Sequence, residues 1–398
     1  MRISLVKKSI NMLFIVVFAM SFKVADGNID LSASMAIEAR VFTQDARYSK
    51  QAHADDYSLY IQPELRYETS GGRITMVPFY RYDGMDDERN HFDMRELNWR
   101  YFADRWDLLI GVDRVFWGVA ESRHLVDIIN QTDLIENIDQ ESKLGQPMVR
   151  FSWLSDNGNL AAFLLPVFRK RTFPGPKGRL RTAQPVSSGS AVYESDEGES
   201  HIDLALRYSN VFGGWDVGAY YFTGTSREPR LIPDVSDQFL VPHYDLIRQL
   251  GIDVQLTAES WLWKFEAINR HGQGKAFSAA VAGFEYTWYQ VSSSGVELGL
   301  LGELLYDGRD KTAPPTLLNR DIFIGLRLGM NDIEDSTLLA GLIYDVEQHQ
   351  HMFTLEGKRR LARNWSIELD AWLFNDSDCD RLDFCQDDYV QLLFAWDL

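Results

Sequence analysis

Residues 201–224 read HIDLALRYSNVFGGWDVGAYYFTG. Ile202, Leu204, Leu206 and Tyr208 alternate with His201, Asp203 and Arg207, the period-two pattern of a strand with one apolar and one polar face. Gly213-Gly214 marks a tight turn, and residues 214–224 resume as a second strand. The unit recurs along the chain. Leu31, Ala33, Met35, Ile37, Ala39 and Val41 oppose Ser32, Ser34, Glu38 and Arg40, and Leu250, Ile252, Val254 and Leu256 oppose Gln249, Asp253, Gln255 and Thr257. Such segments reach about ten residues, longer than the usual soluble strand and long enough to cross a bilayer when tilted.

The alternation predicts about eighteen strands (sixteen to eighteen) between residues 29 and 398, and the connections between them are of two kinds. Even-numbered strands end in tight turns: SGG at 70–72, ADR at 103–105, DNG at 156–158, SSSG at 292–295 and ARN at 362–364. Long insertions, at 43–54, 84–91, 117–146, 169–200, 225–243, 307–316 and 375–386, follow odd-numbered strands only. A transmembrane antiparallel barrel with short periplasmic turns and long outer loops requires that alternation, whereas a soluble secreted β-protein, the competing fold, has no reason to keep it. Aromatic residues gather at segment ends, among them Tyr57, Tyr67, Trp99, Trp106, Trp215, Trp263 and Trp288, as in interfacial girdles. Pro63 and Pro78 fall mid-strand, where each forfeits a ladder hydrogen bond and predicts a bulge. Strict alternation turns Arg114 toward lipid.

At the N-terminus, Arg2, Lys7 and Lys8 precede an apolar run from Met12 to Phe22 and a small-x-small site at Ala25-Asp26-Gly27. Residues 1–27 are therefore expected to be a secretory signal peptide, leaving 28–398 as a single barrel domain. The full chain carries a net charge of −18, and losing four basic residues and one acid makes it more negative still. Such a chain has no electrostatic attraction for nucleic acid. Cys379 and Cys385, the only cysteines, are expected to pair in an oxidising compartment.

One insertion breaks the alternation. In RVFWGVAESRHLVDIINQTDLIENIDQESKLG (114–145), Leu125, Ile128, Ile129, Leu134 and Ile135 take i, i+3, i+4 spacing, which predicts short helical turns; the strand count makes this the third outer loop, and the resemblance of the layout to porins implies that it folds into the lumen. Its apolar residues would meet the wall, leaving Arg123, Asp127, Asp133, Glu136, Asp139 and Glu141 at a pore constriction; an external lid is the alternative. The wetted pore wall is expected to include Glu64, Arg66, Arg81, Glu96, Arg100, Asp113, Arg150 and Arg207, since a barrel this wide leaves an aqueous lumen. Charges there either sort solutes or simply form cross-strand ion pairs. The insertion at 169–181 carries Arg169, Lys170, Arg171, Lys177, Arg179 and Arg181, a basic outer loop suited to anionic solutes at the mouth or to lipopolysaccharide phosphates. The acidic loop DSDCDRLDFCQDD (376–388) lacks the glycine and glutamate of a calcium loop. His349 and His351 in a tight outer turn do not make a metal site, so neither metal nor cofactor is expected. No G-x-S-x-G, HExxH or P-loop pattern occurs, and the chain is read as a non-enzyme.

Residues 95–130 carry Arg95-Glu96, Gly111, Trp117-Gly118, Asp127 and Asn130 in an order that resembles porin-like outer-membrane barrels of proteobacteria; the overall layout is similar to alginate-export-type barrels of eighteen strands. The terminal strand YVQLLFAWDL resembles the signal read by the outer-membrane assembly machinery, with Leu398 where an aromatic is usual. The resemblance implies an outer-membrane channel of a Gram-negative bacterium, in contact with lipid and lipopolysaccharide and passing a small hydrophilic solute. A barrel enzyme of lipase or protease type, and a structural or export partner of an envelope complex, are the alternatives.

Overall fold

The computed structural model describes residues 28–53, 55–236, 238–291, 295–374 and 387–398. The signal peptide expected over 1–27 and the Cys379–Cys385 pair lie outside the described residues. Eighteen strands form the wall. In chain order, β1 to β9 are Ile29–Phe42, Asp56–Thr69, Gly72–Asp83, His91–Phe102, Trp106–Asp113, Gln146–Ser155, Gly158–Leu165, Asp203–Phe212 and Trp215–Thr225. Strands β10 to β18 are Leu246–Ala258, Trp261–Gly272, Gly274–Val291, Val296–Asp307, Arg320–Gly329, Thr337–Asp345, His351–Ala362, Trp365–Phe374 and Tyr389–Asp397. Each pairs antiparallel with the next, and β18 closes on β1 from Ser34 opposite Asp397 to Phe42 opposite Tyr389. The chain is a closed eighteen-stranded barrel, as the alternation predicts.

The two ends differ as expected. Turns at 70–71, 103–105, 156–157, 213–214, 259–260 and 363–364 lie at one end, with 330–336 the longest described connection there. Insertions 114–145, 166–202 and 226–245 lie at the other, called the outer end below. A feature not anticipated is a three-stranded sheet of Val192–Tyr193, Arg230–Pro233 and Leu240–Tyr244, which ties the last two insertions together. The predicted helical turns of the third loop are absent. Among the described residues the only helical elements are 3-10 turns at Asp87–Arg89, Ser188–Ser190 and Gly198–Ser200.

Facing outward are the apolar sets read from the sequence: Leu204, Leu206, Leu250, Ile324 and Phe394 are all exposed. Aromatic rings ring both ends of this band. Trp99, Trp106, Trp153, Trp215, Trp263, Trp288 and Trp365 lie toward the short turns, and Tyr57, Tyr82, Phe92, Tyr306 and Tyr344 toward the long loops.

The two mid-strand prolines answer one another. Pairing between β2 and β3 runs through Ile61 opposite Tyr80, lapses, and resumes at Leu65 opposite Met76 in the same register. Pro63 and Pro78 therefore face each other across the gap, where neither asks the other for an N–H. On its far edge Pro78 sits at a register shift, Val77 pairing with Glu96 and Pro78 with Met94, so Arg95 is the extra residue of a bulge. The bulge re-aims Arg95 into the barrel, where only 3% of it is exposed. Arg114 also departs from expectation: β5 ends one residue earlier, and its guanidinium reaches Glu96 at 3.3 Å rather than turning to lipid.

Inside, the wall has two characters. Along β5 to β15 the inward residues mix apolar side chains, among them Leu109, Phe163, Phe222, Ile268, Leu301 and Phe323, with buried charges such as Asp203, Asp253, Glu266 and Glu303. Along β1 to β4 and β16 to β18 they are largely charged or polar. Continuous apolar runs such as LAAFLL in β7 and TLLAGLIYD in β15 carry this signal, because a strand covered on both faces cannot alternate.

The connection between β11 and β12 is the single residue Gln273, entered through Gly272 at φ +101°, where a Cβ would collide with the Leu246 carbonyl oxygen. Gly272→Val should destabilise the barrel by about 1–3 kcal/mol, whereas Gly189→Val, at a site with open space around it, should not. Denaturant midpoints from the loss of compact, heat-modifiable mobility in gels check both.

Candidate functional site

An eighteen-stranded barrel is too wide for wall side chains to fill, so what enters the lumen decides what it can do. Here residues 114–145 enter. Trp117 is 5% exposed and packs its ring against Phe163 and Tyr220, with centroids 5.5 and 4.9 Å away. Arg207, bidentate to Asp253 at 2.8 Å, stacks over the same indole at 4.8 Å. Leu125, Val126, Ile128 and Ile129 join this core. Gly118, at φ +145°, turns the chain so that the next four amides point at the wall.

Two wall carboxylates receive those amides. Glu266 on β11 accepts the N–H of Val119 at 2.6 Å and of Ala120 at 2.9 Å through Oε1. Glu303 on β13 accepts Glu121 N–H at 2.7 Å and Ser122 N–H at 2.9 Å, together with the Ser122 hydroxyl at 2.5 Å. Converging backbone N–H groups make a local anion site, and here the anion comes from the barrel itself. Beyond these amides, residues 121–139 run through bends, turns and two isolated bridge residues, Thr132 and Asp133, without a helix.

Farther along, guanidiniums replace carboxylates as anchors. Glu136 receives Arg81 through Nε at 2.9 Å and Nη2 at 2.7 Å, and Arg81 also reaches Glu38 at 2.9 Å. Arg89 donates to the Ile135 carbonyl at 2.7 Å and pairs with Glu38 and Asp83 at 2.7 and 2.9 Å. Asp133 takes Arg95 at 3.1 Å and the Thr172 hydroxyl at 2.7 Å, and Asp127 takes Lys143 at 3.1 Å. Two residues expected at a constriction, Asp133 and Glu136, are thus buried anchors instead of pore-facing charges, while Asp127 pairs within the loop and lines a cavity beside it. Unpaired carboxylates could not be buried so deeply, which is the physical reason for the difference. Arg123 is also paired, with Asp307 at 3.1 Å.

Asp133 and Glu136 with His91 form the one group of three metal-type donors found among the described residues. Their oxygens already accept Arg95, Thr172 and Arg81, while His91 Nδ1 lies 3.1 Å from the Arg89 carbonyl. His91 Nε2 lies 3.5 Å from both Asp133 Oδ2 and Glu136 Oε1.

Other wall residues named from the sequence pair across neighbouring strands or within one: Arg66 with Glu64 at 2.5 Å, Arg100 with Asp107 at 3.0 Å, and Arg150 with Asp113 at 3.4 Å. The basic loop is not a free patch at the mouth. Arg169 pairs with Asp93 at 2.6 Å, Lys170 with Glu199 at 3.1 Å, Lys177 with Asp87 at 2.8 Å, and buried Arg179 with Asp387 at 2.6 Å. Arg181 donates to the carbonyls of Pro176, Thr182 and Ala183. Arg171 alone of the six makes its described contact to a neutral side chain, Gln131 Oε1 at 3.2 Å.

The loop leaves two spaces. An outer cavity of about 300 Å³ is lined by residues of the loop and of 171–186, 227–231 and 309–318. An inner cavity of about 360 Å³ is lined by Glu121, Arg327, Glu356, Lys358, Asp370 and neighbours. Asp139 lines both. Its carboxyl is pushed up to about 7 by burial, reinforced by the nearby charges of Glu141 and Asp370. His124, lining the outer cavity, is pushed down to about 4 by burial and by Lys143, so it is neutral there at physiological pH. The anchoring roles of Glu266 and Glu303, and the presence of Arg227, Glu228 and Arg309 in the outer cavity, were not legible from spacing; only Arg227 and Glu228 fall in a charged run, SREPR (226–230).

No family model matches this chain, and no curated protein matches it. Several solved structures share its fold. Wzi of Escherichia coli, described as an outer-membrane protein involved in group 1 capsule assembly and a carbohydrate-binding β-barrel, superimposes with a TM-score of 0.54 at 7% identity, covering 92% of this chain and 84% of that one. A BenF-like porin from Pseudomonas fluorescens gives 0.53 at 9% identity over 93% of this chain and 98% of the porin. OpdL of Pseudomonas aeruginosa gives 0.52 at 9% identity over 94% and 99%. At such identities the similarity establishes the fold, a barrel of the outer-membrane porin type.

If the carboxylates hold the loop, Glu303→Gln should loosen it, because an amide side chain cannot accept three hydrogen bonds through one oxygen. Hydrogen exchange at the Glu121 and Ser122 amides should accelerate by about tenfold or more, while the wall strands keep their protection. Unchanged exchange at those two amides would contradict the assignment.

Proposed function

We propose that this protein is a channel of the Gram-negative outer membrane that passes small hydrophilic solutes, with the loop 114–145 as its constriction and no enzymatic role. The observation carrying this reading is the division of the lumen: one loop crosses it, cavities open on both sides, and Asp139 borders both. The lipid-facing band with two aromatic girdles supports membrane insertion, with lipopolysaccharide beside the outer loops. The closing strand, Tyr389–Asp397, supports recognition by the assembly machinery. Passage past the loop is narrow, so unitary conductance is low and selective.

A second reading is favoured by the apolar packing of the loop against β5 to β15: a filled barrel that binds a ligand without conducting. Wzi, described as carbohydrate-binding, shares the fold. Planar-bilayer recording separates the two. The purified barrel should give discrete steps, and deletion of residues 122–140 should raise their size several-fold; a folded barrel silent at all voltages would eliminate the channel.

The position of Asp139 adds a pH dependence. A carboxyl raised to about 7 is neutral below that value and charged above it, so a negative charge appears at the junction as pH rises. Cation preference, measured by reversal potential in a salt gradient, should therefore increase between about pH 6 and pH 8, and Asp139→Asn should abolish the increase.

A further inference from the structure

Near the outer end, polar side chains interrupt the lipid-facing surface of the wall on three adjacent strands. Arg248 shares its face of β10 with the exposed Leu250 and Ile252, while Gln249 is buried on the other face. On β11, Asn269 and His271 share the face of the exposed Trp263 and Phe265, and on β12 Ser278 shares that of Trp288. The register sets these residues side by side: Arg248 lies opposite His271, and Asn269 opposite Ser278. Arg248, His271 and Ser278 are all exposed, and the connection from β11 to β12 just beyond them is the single residue Gln273.

Part of this strip satisfies itself. Asn269 Nδ2 donates to Ser278 Oγ at 2.9 Å, which leaves Asn269 Oδ1 to accept from His271 Nε2 at 2.8 Å. The other ring nitrogen of His271 has no partner among the described residues. Arg248 has none at all. Among the described residues, every other arginine of the wall strands pairs with a carboxylate, and Arg248 does not. Glu194 meets the start of the same strand, but it accepts the Leu246 N–H at 2.6 Å and forms no ion pair with Arg248. A lone guanidinium on the lipid face is tolerable only near the membrane surface, where a headgroup can bring the missing anion.

We propose that this strip binds the phosphorylated headgroup of an outer-leaflet glycolipid, a lipid A phosphate taking the Arg248 guanidinium and the His271 ring. The acyl chains then lie along Leu250, Ile252, Trp263 and Phe265, toward the middle of the bilayer. Complementarity of charge chooses this occupant: a guanidinium offers donors and no acceptor, and a phosphate presents acceptor oxygens that match its planar fork. A protein partner would have to carry an acid into the edge of the bilayer, whereas the lipid phosphate already lies at that depth. The proposal rests on the outer-membrane placement given above and does not require conduction.

The test is native mass spectrometry of the purified, detergent-folded protein titrated with bisphosphorylated lipid A, with dephosphorylated lipid A and with inorganic phosphate. One bisphosphorylated lipid A should be retained about tenfold or more tighter than its dephosphorylated form, the scale of a charge-assisted contact. Arg248→Gln should weaken retention by about tenfold, and Arg248→Lys by less, because lysine keeps the charge and loses the fork. Arg320→Gln, at an outward arginine already paired with Glu347 at 2.5 Å, should leave retention unchanged. Equal retention of the two lipids, undiminished retention by folded Arg248→Gln, or displacement of the lipid by an equal concentration of inorganic phosphate would each overturn the proposal. So would loss of self-association in Arg248→Gln with lipid binding intact, which would put a second copy of the chain on the strip. If that variant does not fold, the lipid comparison on the unaltered protein decides the matter. A silent barrel that retains lipid A would retire the channel and keep the site, and a conducting barrel without phosphate preference would do the reverse.

Discussion

Four consecutive backbone amides, those of residues 119–122, are held by two carboxylates standing on strands six and eight places round the wall from the strand that launches the loop. Nearly everything specific about the interior depends on that attachment. Ordering a long loop across a lumen is opposed by conformational entropy, and hydrogen bonds to ionised groups in a water-poor setting are among the few interactions strong enough to offset it. Burial of Trp117, Leu125, Val126, Ile128 and Ile129 against the apolar sector adds the hydrophobic share. Arg81 and Arg89 then secure the far part of the loop through Glu136 and the Ile135 carbonyl. The start of the loop meets apolar side chains together with the carboxylates of Glu266 and Glu303, and its far part meets the guanidiniums of Arg81, Arg89 and Arg95.

Most of the barrel could be read from the sequence, and the reason is its period. A strand exposed to lipid on one face and to a wet lumen on the other must alternate, so most wall strands announce themselves, and turn length separates the two ends. Even the opposed prolines were visible as irregularities, although only the register shows that Pro63 and Pro78 share one gap. The loop's place in the lumen was expected from its position as the third outer loop of a porin-like barrel, and its helical turns were misread. Spacing of i, i+3, i+4 implies a helix only when one face is covered; Leu125, Ile128 and Ile129 are all buried along a path of turns and bends. The acids failed differently. Sequence gives a charge but not its partner, and Asp127, Asp133 and Glu136 each met a cation supplied from a distant or looped segment.

Pairing also clarifies which charges are available for function. Most ionisable groups of the lumen are matched in cross-strand or loop-to-wall pairs, which keep a polar wall folded without giving it a sign. What remains has a direction. Arginines prevail on the outer side of the loop, while Glu121, Asp139, Glu356, Glu368 and Asp370 face Arg327 and Lys358 on the inner side. A solute crossing such a path meets fields of opposite sign in succession, with Asp139 at the change.

The central claim is that the loop separates two compartments that meet at Asp139, and side-specific chemical access tests it most directly. In a background with Cys379 and Cys385 replaced by serine, Leu231→Cys reports the outer cavity and Glu356→Cys the inner one. A membrane-impermeant thiol reagent added to one face of a bilayer should modify Leu231→Cys much faster from the long-loop side, and Glu356→Cys much faster from the short-turn side. Equal rates from both sides at both positions would show an undivided lumen and contradict the account.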